Sequence, residues 1–137
     1  MMPPPIVTPQ RSGVYRSSAD APDCVARAAA AGGKGVSVDL SRVRGKAALM
    51  ETLARALALP ASFGANWDAL ADSLEDLPVT AQGCVLHLQK TAEAQRALAG
   101  EWLTLLEILE DAAAYWKEHG KAFVVFIDDA SALPAWQ

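Results

Sequence analysis

Four carboxylates, Asp68, Asp72, Glu75 and Asp76, are the side chains in this chain whose spacing points most directly to chemistry. On a helix advancing about 100° per residue they fall within one arc of roughly 100°, while Trp67, Leu70, Leu74 and Leu77 fill a separate apolar arc of roughly 80°. No Lys or Arg occurs between Arg55 and Lys90, and the other twelve acids are balanced by twelve bases, so the whole net charge of -4 resides in this stretch. Such a stripe could bind a divalent cation, serve acid/base hydrolysis or present a negative surface to a basic partner. The first two need a second ligand cluster or a companion base at a recognisable spacing, and the sequence has neither. It also lacks a Gly-rich phosphate loop and any metal-ligand motif, so no cofactor and no catalytic residue is expected. Read from spacing alone, an ordinary solvated acidic face is the commoner explanation of a charge run.

Local energetics do not favour the arrangement. Asp68 gains from the positive end of the helix dipole, but Asp72 gains little, and Glu75 and Asp76 stand near the negative end. Like charges four apart, as Asp68, Asp72 and Asp76 are, cost an isolated helix about 0.2 to 0.5 kcal/mol per pair.

The elements that must position these acids are legible from periodicity. Leu49, Met50, Leu53 and Leu57 recur at three and four, predicting a helix from Lys46 to Leu59 that Pro60 terminates. Gly64 is expected to permit a tight turn, Asn66 to cap the acidic helix, and Pro78 to follow its end near Leu77. Gly35 to Leu40 alternates as a half-buried strand, and Cys84 to Leu88 and Phe123 to Ile127 are short apolar runs of buried-strand type. Val14 to Arg16 could add a strand and Asp20 to Ala31 a helix, stopped at Gly32 and Gly33. Ala92 to His119 reads as helix with a break near Gly100. Strands separated by helices imply an α/β fold with a parallel sheet of three, possibly four, strands in a single domain. Residues 1–12, with prolines at 3, 4, 5 and 9, are expected to be a flexible tail, 13–33 a strand-helix extension, and 34–137 the main body.

The run Leu-Pro-x-x-Phe-Gly-x-Asn-Trp-Asp-Ala-Leu-x-Asp-x-Leu, from Leu59 to Leu74, closely resembles the signature of the barstar family. Many ordered positions must match at once, and the order of elements agrees from about Gly35 to Asp129. The resemblance implies a barstar-like sheet packed with helices, no catalytic activity, and a loop and helix that occlude a secreted-type ribonuclease inside the cell. Asp68 and Asp72 match the two aspartates of the family's inhibitory helix, and Asp72 matches the one that enters the nuclease's phosphate site. Phe63, Gly64, Asn66 and Trp67 match loop and helix-start contact positions, and Glu75 and Asp76 extend the acidic face. Ser62 and Ala71 stand where barstar carries aromatic residues, and Tyr115 where a further acid contributes in the family. The alternative is a barstar-fold module that binds a different basic protein.

That implication has a physical logic of its own. A ribonuclease gathers Arg, Lys and His to hold phosphate, and carboxylates on a helix can occupy such a site in place of the anion. A ribonuclease or another basic protein is therefore the expected partner, with the free chain monomeric.

The remaining candidates read as structural. Residues 1 to 55 carry eight bases against four acids, spread without aromatic interleaving, which fits a solvated face better than a nucleic-acid footprint. No apolar run approaches the roughly 18 residues of a membrane span, and the start lacks the pattern of a signal peptide, so a cytoplasmic location is expected. Cys24 and Cys84 have no ligand spacing and should be buried thiols. His87 is expected to be a satisfied core histidine, His119 to meet the end of its helix, and Trp102 and Trp116 to pack in the core.

Overall fold

Strands and helices alternate along the chain in the computed structural model, which describes residues 7–60 and 64–136. The order is β1 (Gly13–Arg16), α1 (Ala21–Ala30), β2 (Lys34–Asp39), α2 (Lys46–Ala56), α3 (Trp67–Glu75), β3 (Cys84–Gln89), α4 (Ala92–Leu98), α5 (Gly100–Glu118) and β4 (Phe123–Ile127). The four strands form one parallel sheet in the order β1-β4-β3-β2. The molecule is thus an α/β single domain, and the fourth strand that Val14 to Arg16 suggested is present at the edge beside β4.

Handedness decides which helices cover which face. The connection from β1 to β2 runs across the sheet in the opposite direction to those from β2 to β3 and from β3 to β4. Right-handed crossovers therefore place α1 on one face and the later helices on the other. Two apolar clusters reflect this division. Leu86, Leu88, Val125 and Ile127 point into the larger core with Leu49, Leu53, Leu70, Leu74, Leu105 and Trp116. Val85, Val124 and Phe126 point the other way, against Ala21, Cys24 and Ala28 of α1. β3 and β4 are covered on both faces, which is why they read as continuous apolar runs without alternation. Gly35 is needed where α1 crosses β2, since a Cβ there would lie 2.0 Å from the Val25 carbonyl oxygen.

Three helices end in the same way. In α1, α2 and α5 the second residue past the last helical one is left-handed, and the next N–H reaches back five residues, from Gly33 to Ala28, Leu59 to Ala54 and Lys121 to Trp116. Glycine occupies the left-handed position after α1 (Gly32) and α5 (Gly120), as this motif prefers, but after α2 it is Ala58 with φ 54°. Helix α2 consequently stops at Ala56, earlier than Pro60 alone would require.

Other boundaries differ from expectation in instructive ways. The break expected near Gly100 is present and divides α4 from α5, but it is Ala99, with φ 48° and ψ -120°, that redirects the chain. The acidic helix ends at Glu75 with Asp76 as its C-cap, so Leu77 and Pro78 belong to the following turn. Part of the expected tail is built into the fold, which corrects the assignment of residues 7–12 to a flexible segment. Val7 is buried against the α1 side of the sheet, Pro9–Arg11 form a 3-10 turn, and the Arg11 guanidinium lies 3.5 Å from the centroid of the Trp136 ring. That ring in turn meets Tyr15 and Phe126 edge-on, each at 5.1 Å between centroids. Residues 1–6 lie outside the described residues.

Candidate functional site

The acidic helix is held from its apolar side. Leu70 and Leu74 are completely buried, each contributing about 1.5 to 3 kcal/mol through burial. Trp116 of α5 donates its indole N–H to the Leu74 carbonyl at 3.0 Å, satisfying one of the backbone acceptors that the end of a helix leaves without partners. At the other end Asn66 accepts from the Ala69 N–H at 2.8 Å through Oδ1, the side-chain cap expected of it. Its amide also donates to the Gly64 carbonyl at 3.3 Å, so one side chain fastens both the helix start and the loop before it.

The turn expected around Gly64 takes in its neighbour as well. Ala65 is left-handed, with φ 51°. A Cβ at position 64 would sit 3.3 Å from the Asn66 amide nitrogen, a tight approach that the Asn66 side chain would have to relieve, and 3.5 Å from the Ala69 methyl. Left-handed alanines at 58 and 65 thus bracket the segment between α2 and α3. Non-glycine residues in this region carry strain of about 1 to 2 kcal/mol, maintained by the structure around them. Phe63 and Ser62 lie outside the described residues.

With the helix fixed this way, Asp68, Asp72 and Asp76 are exposed and Glu75 is half-buried. Among the described residues the ion pairs are Glu51 with Arg55, Asp39 with Lys90, Asp128 with His87 and Glu93 with Arg96, so none draws on the stripe. Among the described residues no side chain pairs with these carboxylates. Trp67 sits at the edge of the stripe, packed in part against the core, with its indole N–H donated to Glu101 of α5 at 3.3 Å and the Lys46 ammonium 5.6 Å from its ring centroid. Ala71 is half-buried beside it. Glu101 and Lys46 are residues that pattern reading did not single out. They lie 34 and 21 positions from Trp67, and only the packing of α5 and α2 around α3 brings them together.

A second polar cluster lies at the C-terminal ends of the strands. Asp128 Oδ1 is 2.8 Å and Ser17 Oγ 3.1 Å from the same ring nitrogen of His87, Nε2. In a serine-nucleophile relay the acid and the serine hold opposite ring nitrogens, so this arrangement cannot pass a proton between them. The other nitrogen, Nδ1, is buried and has no hydrogen-bond partner among the described residues, which corrects the expectation of a fully satisfied histidine. Burial alone would raise the Asp128 carboxyl, but hydrogen bonds from His87, the Lys90 N–H and Ser17 outweigh it and hold its pKa below the usual carboxylate value. With Thr91 donating to the Asp128 carbonyl and the Ser17 N–H to that of Ile127, the cluster ties the ends of β1, β3 and β4 together. It reads as a structural knot.

The other sequence candidates fall where packing predicts. Trp102 and Trp116 are buried, and His119 lies 2.7 Å from the Tyr115 carbonyl through Nδ1 with its ring stacked on Tyr115. Cys24 and Cys84 are free buried thiols, and burial pushes the Cys84 thiol up to about 12. No group of three or more His, Cys, Asp or Glu that could hold a metal ion occurs among the described residues. No helix of the described residues is long and apolar enough to cross a membrane.

The family model described as Barstar (barnase inhibitor) matches residues 34–128, from the start of β2 to the residue after β4. The chain belongs to the barstar family. Its acidic helix, capping Asn66 and loop lie inside the matched region, while β1 and α1 precede it. No individual curated protein matches the chain. The description names inhibition of barnase as a property of the family, and the match covers the whole of the segment from β2 to β4.

Proposed function

We propose that this barstar-family protein is a stoichiometric inhibitor that binds a ribonuclease and occludes its active site with α3 and the loop before it. One observation carries the reading: Asp68, Asp72, Glu75 and Asp76 lie together on one helix face, outside every ion pair among the described residues. A basic phosphate-binding cleft supplies counter-charges to these carboxylates, so complementary fields speed encounter and desolvated carboxylate pairs slow release. Asp72, at the centre of the stripe, occupies the phosphate position. Asp68 flanks it toward the helix start, and Gly64, Asn66 and Trp67 support the contact, together with Phe63. No catalytic residue or cofactor enters this reading, and the protein acts in the compartment where the nuclease is made.

The test is titration of a secreted-type microbial ribonuclease with the purified protein. Activity should fall to zero at one equivalent. Asp72→Ala should weaken binding by about 2 kcal/mol or more, roughly thirtyfold in dissociation constant. Full nuclease activity in the presence of excess folded protein, or an unaltered titration with Asp72→Ala, refutes the reading.

Ala71, small where an aromatic anchor would be expected on the contact face, favours a second reading in which the same helix binds a different basic protein. Capture of a non-nuclease through α3, lost with Asp72→Ala, would select it.

A further inference from the structure

The acidic stripe ends at a cleft of about 230 Å³ between the turn that follows α2 and the C-terminal end of α3. Leu57, Leu59 and Pro78 form its apolar walls, and Ser73, Asp76 and Lys34 supply its polar groups. Ser73 lies about 120° around α3 from Trp67, so the cleft occupies the flank turned away from the α5 contact. We propose that this cleft receives a lysine or arginine side chain of the basic partner, a second anchor beside the stripe. The inference rests on the inhibitory reading for the identity of the partner.

Three features specify the occupant. The volume is below the roughly 300 to 1,000 Å³ of small-molecule sites, so the cleft suits one side chain better than a ligand or cofactor. Apolar walls with an acid at the rim suit the long aliphatic stem and charged head of Lys or Arg. Electrostatics then fix the sign of the charge. The C-terminal ends of both α2, at Leu57 to Leu59, and α3, at Asp76 and Leu77, line the cleft, and each carries the negative pole of its helix. Two negative poles and the exposed Asp76 carboxylate outweigh the one resident cation, Lys34. Asp76 is thereby given a use that its unfavourable position on the helix leaves unexplained. Its charge is shared between the end of the stripe and the mouth of the cleft.

Two measurements on the intact chain test this. In the first, butylguanidinium is titrated against the free protein and followed by amide chemical shifts. Saturable shifts confined to the neighbourhood of Leu59, Ser73 and Asp76, abolished in Asp76→Asn, are expected. Their absence overturns the cleft whatever the partner is. In the second, dissociation of the nuclease complex is timed for Ser73→Tyr, which fills the cleft without changing charge, and for Lys34→Gln. Ser73→Tyr should dissociate at least tenfold faster with an unchanged association rate, and Lys34→Gln should dissociate more slowly. If Asp72→Ala releases the nuclease but Ser73→Tyr and Lys34→Gln dissociate like the unmodified protein, the cleft is refuted and the inhibitory reading survives. If the unmodified protein inhibits no nuclease, the inhibitory reading is refuted and the butylguanidinium titration alone decides the cleft. Should Ser73→Tyr fail to fold, Lys34→Gln supplies the same comparison.

Discussion

Replacing Asp72 with Asn should make the free protein more stable while making it a poorer inhibitor. Asp72 lies one turn from Asp68 on one side and one turn from Asp76 on the other, and three residues before Glu75, all on the same face of α3. Each like-charge pair at that spacing costs about 0.2 to 0.5 kcal/mol, so removing the central charge relieves roughly 0.6 to 1.5 kcal/mol across the three pairs. Asn has nearly the volume and helix propensity of Asp, so neither packing nor intrinsic preference should mask the gain. The change breaks none of the ion pairs among the described residues, since Asp72 takes part in none of them. Urea unfolding at low ionic strength should show the stabilisation as a higher midpoint at constant slope. At about 1 M salt, where the screening length is roughly 3 Å, most of the difference should vanish. Titration against the nuclease should move the opposite way, toward weaker binding. A variant that is equally stable or less stable at low salt would show that the stripe is not under internal repulsion. The argument that the acids are retained for an external partner would then fail.

Three further outcomes follow from the geometry. Asn66→Ala removes the cap on α3 and the anchor on the Gly64 carbonyl, and should cost about 1 kcal/mol in urea unfolding while weakening nuclease binding. Because the folded pKa of Asp128 is depressed, its contribution is present above the unfolded value of about 3.9 and is lost as pH falls through the lower folded value. The stability gap between the unmodified chain and Asp128→Asn, measured by unfolding across pH, should be full near neutrality and close below about pH 4. Cys84, with its thiol pushed up to about 12 and its side chain fully buried, should resist iodoacetamide in the folded protein and react only on unfolding.

Features governed by local chemistry were the ones the sequence disclosed. The stripe could be read because a helix maps spacing directly onto direction, and Pro60, Asn66 and Pro78 mark its surroundings. β3 and β4 were legible because burial on both faces leaves an unbroken apolar run. Segment ends were less legible where a backbone angle decides them. Ala58 and Ala65 adopt left-handed φ that alanine does not advertise, and they set the end of α2 and the turn before Asn66, whereas the break that Ala99 makes was signalled by Gly100 beside it. Residues drawn in from afar were invisible for a different reason. Glu101 meets Trp67, and Ser17 meets His87 and Asp128, only after the sheet order is fixed. The burial of Val7 depends likewise on the face that α1 leaves open.

The placement of β1 also separates ancestry from folding. A chain cut back to residues 34–128 would retain every matched position yet leave the backbone of β4 unpaired along its outer side. Removing α1 with it would bare Val85, Val124 and Phe126. A flat apolar strand with free peptide groups is a template on which other chains can grow. The shortened molecule should therefore recruit copies of itself, so the smallest well-behaved unit extends upstream of the matched region, to include Val7 and the 3-10 turn that closes over Trp136.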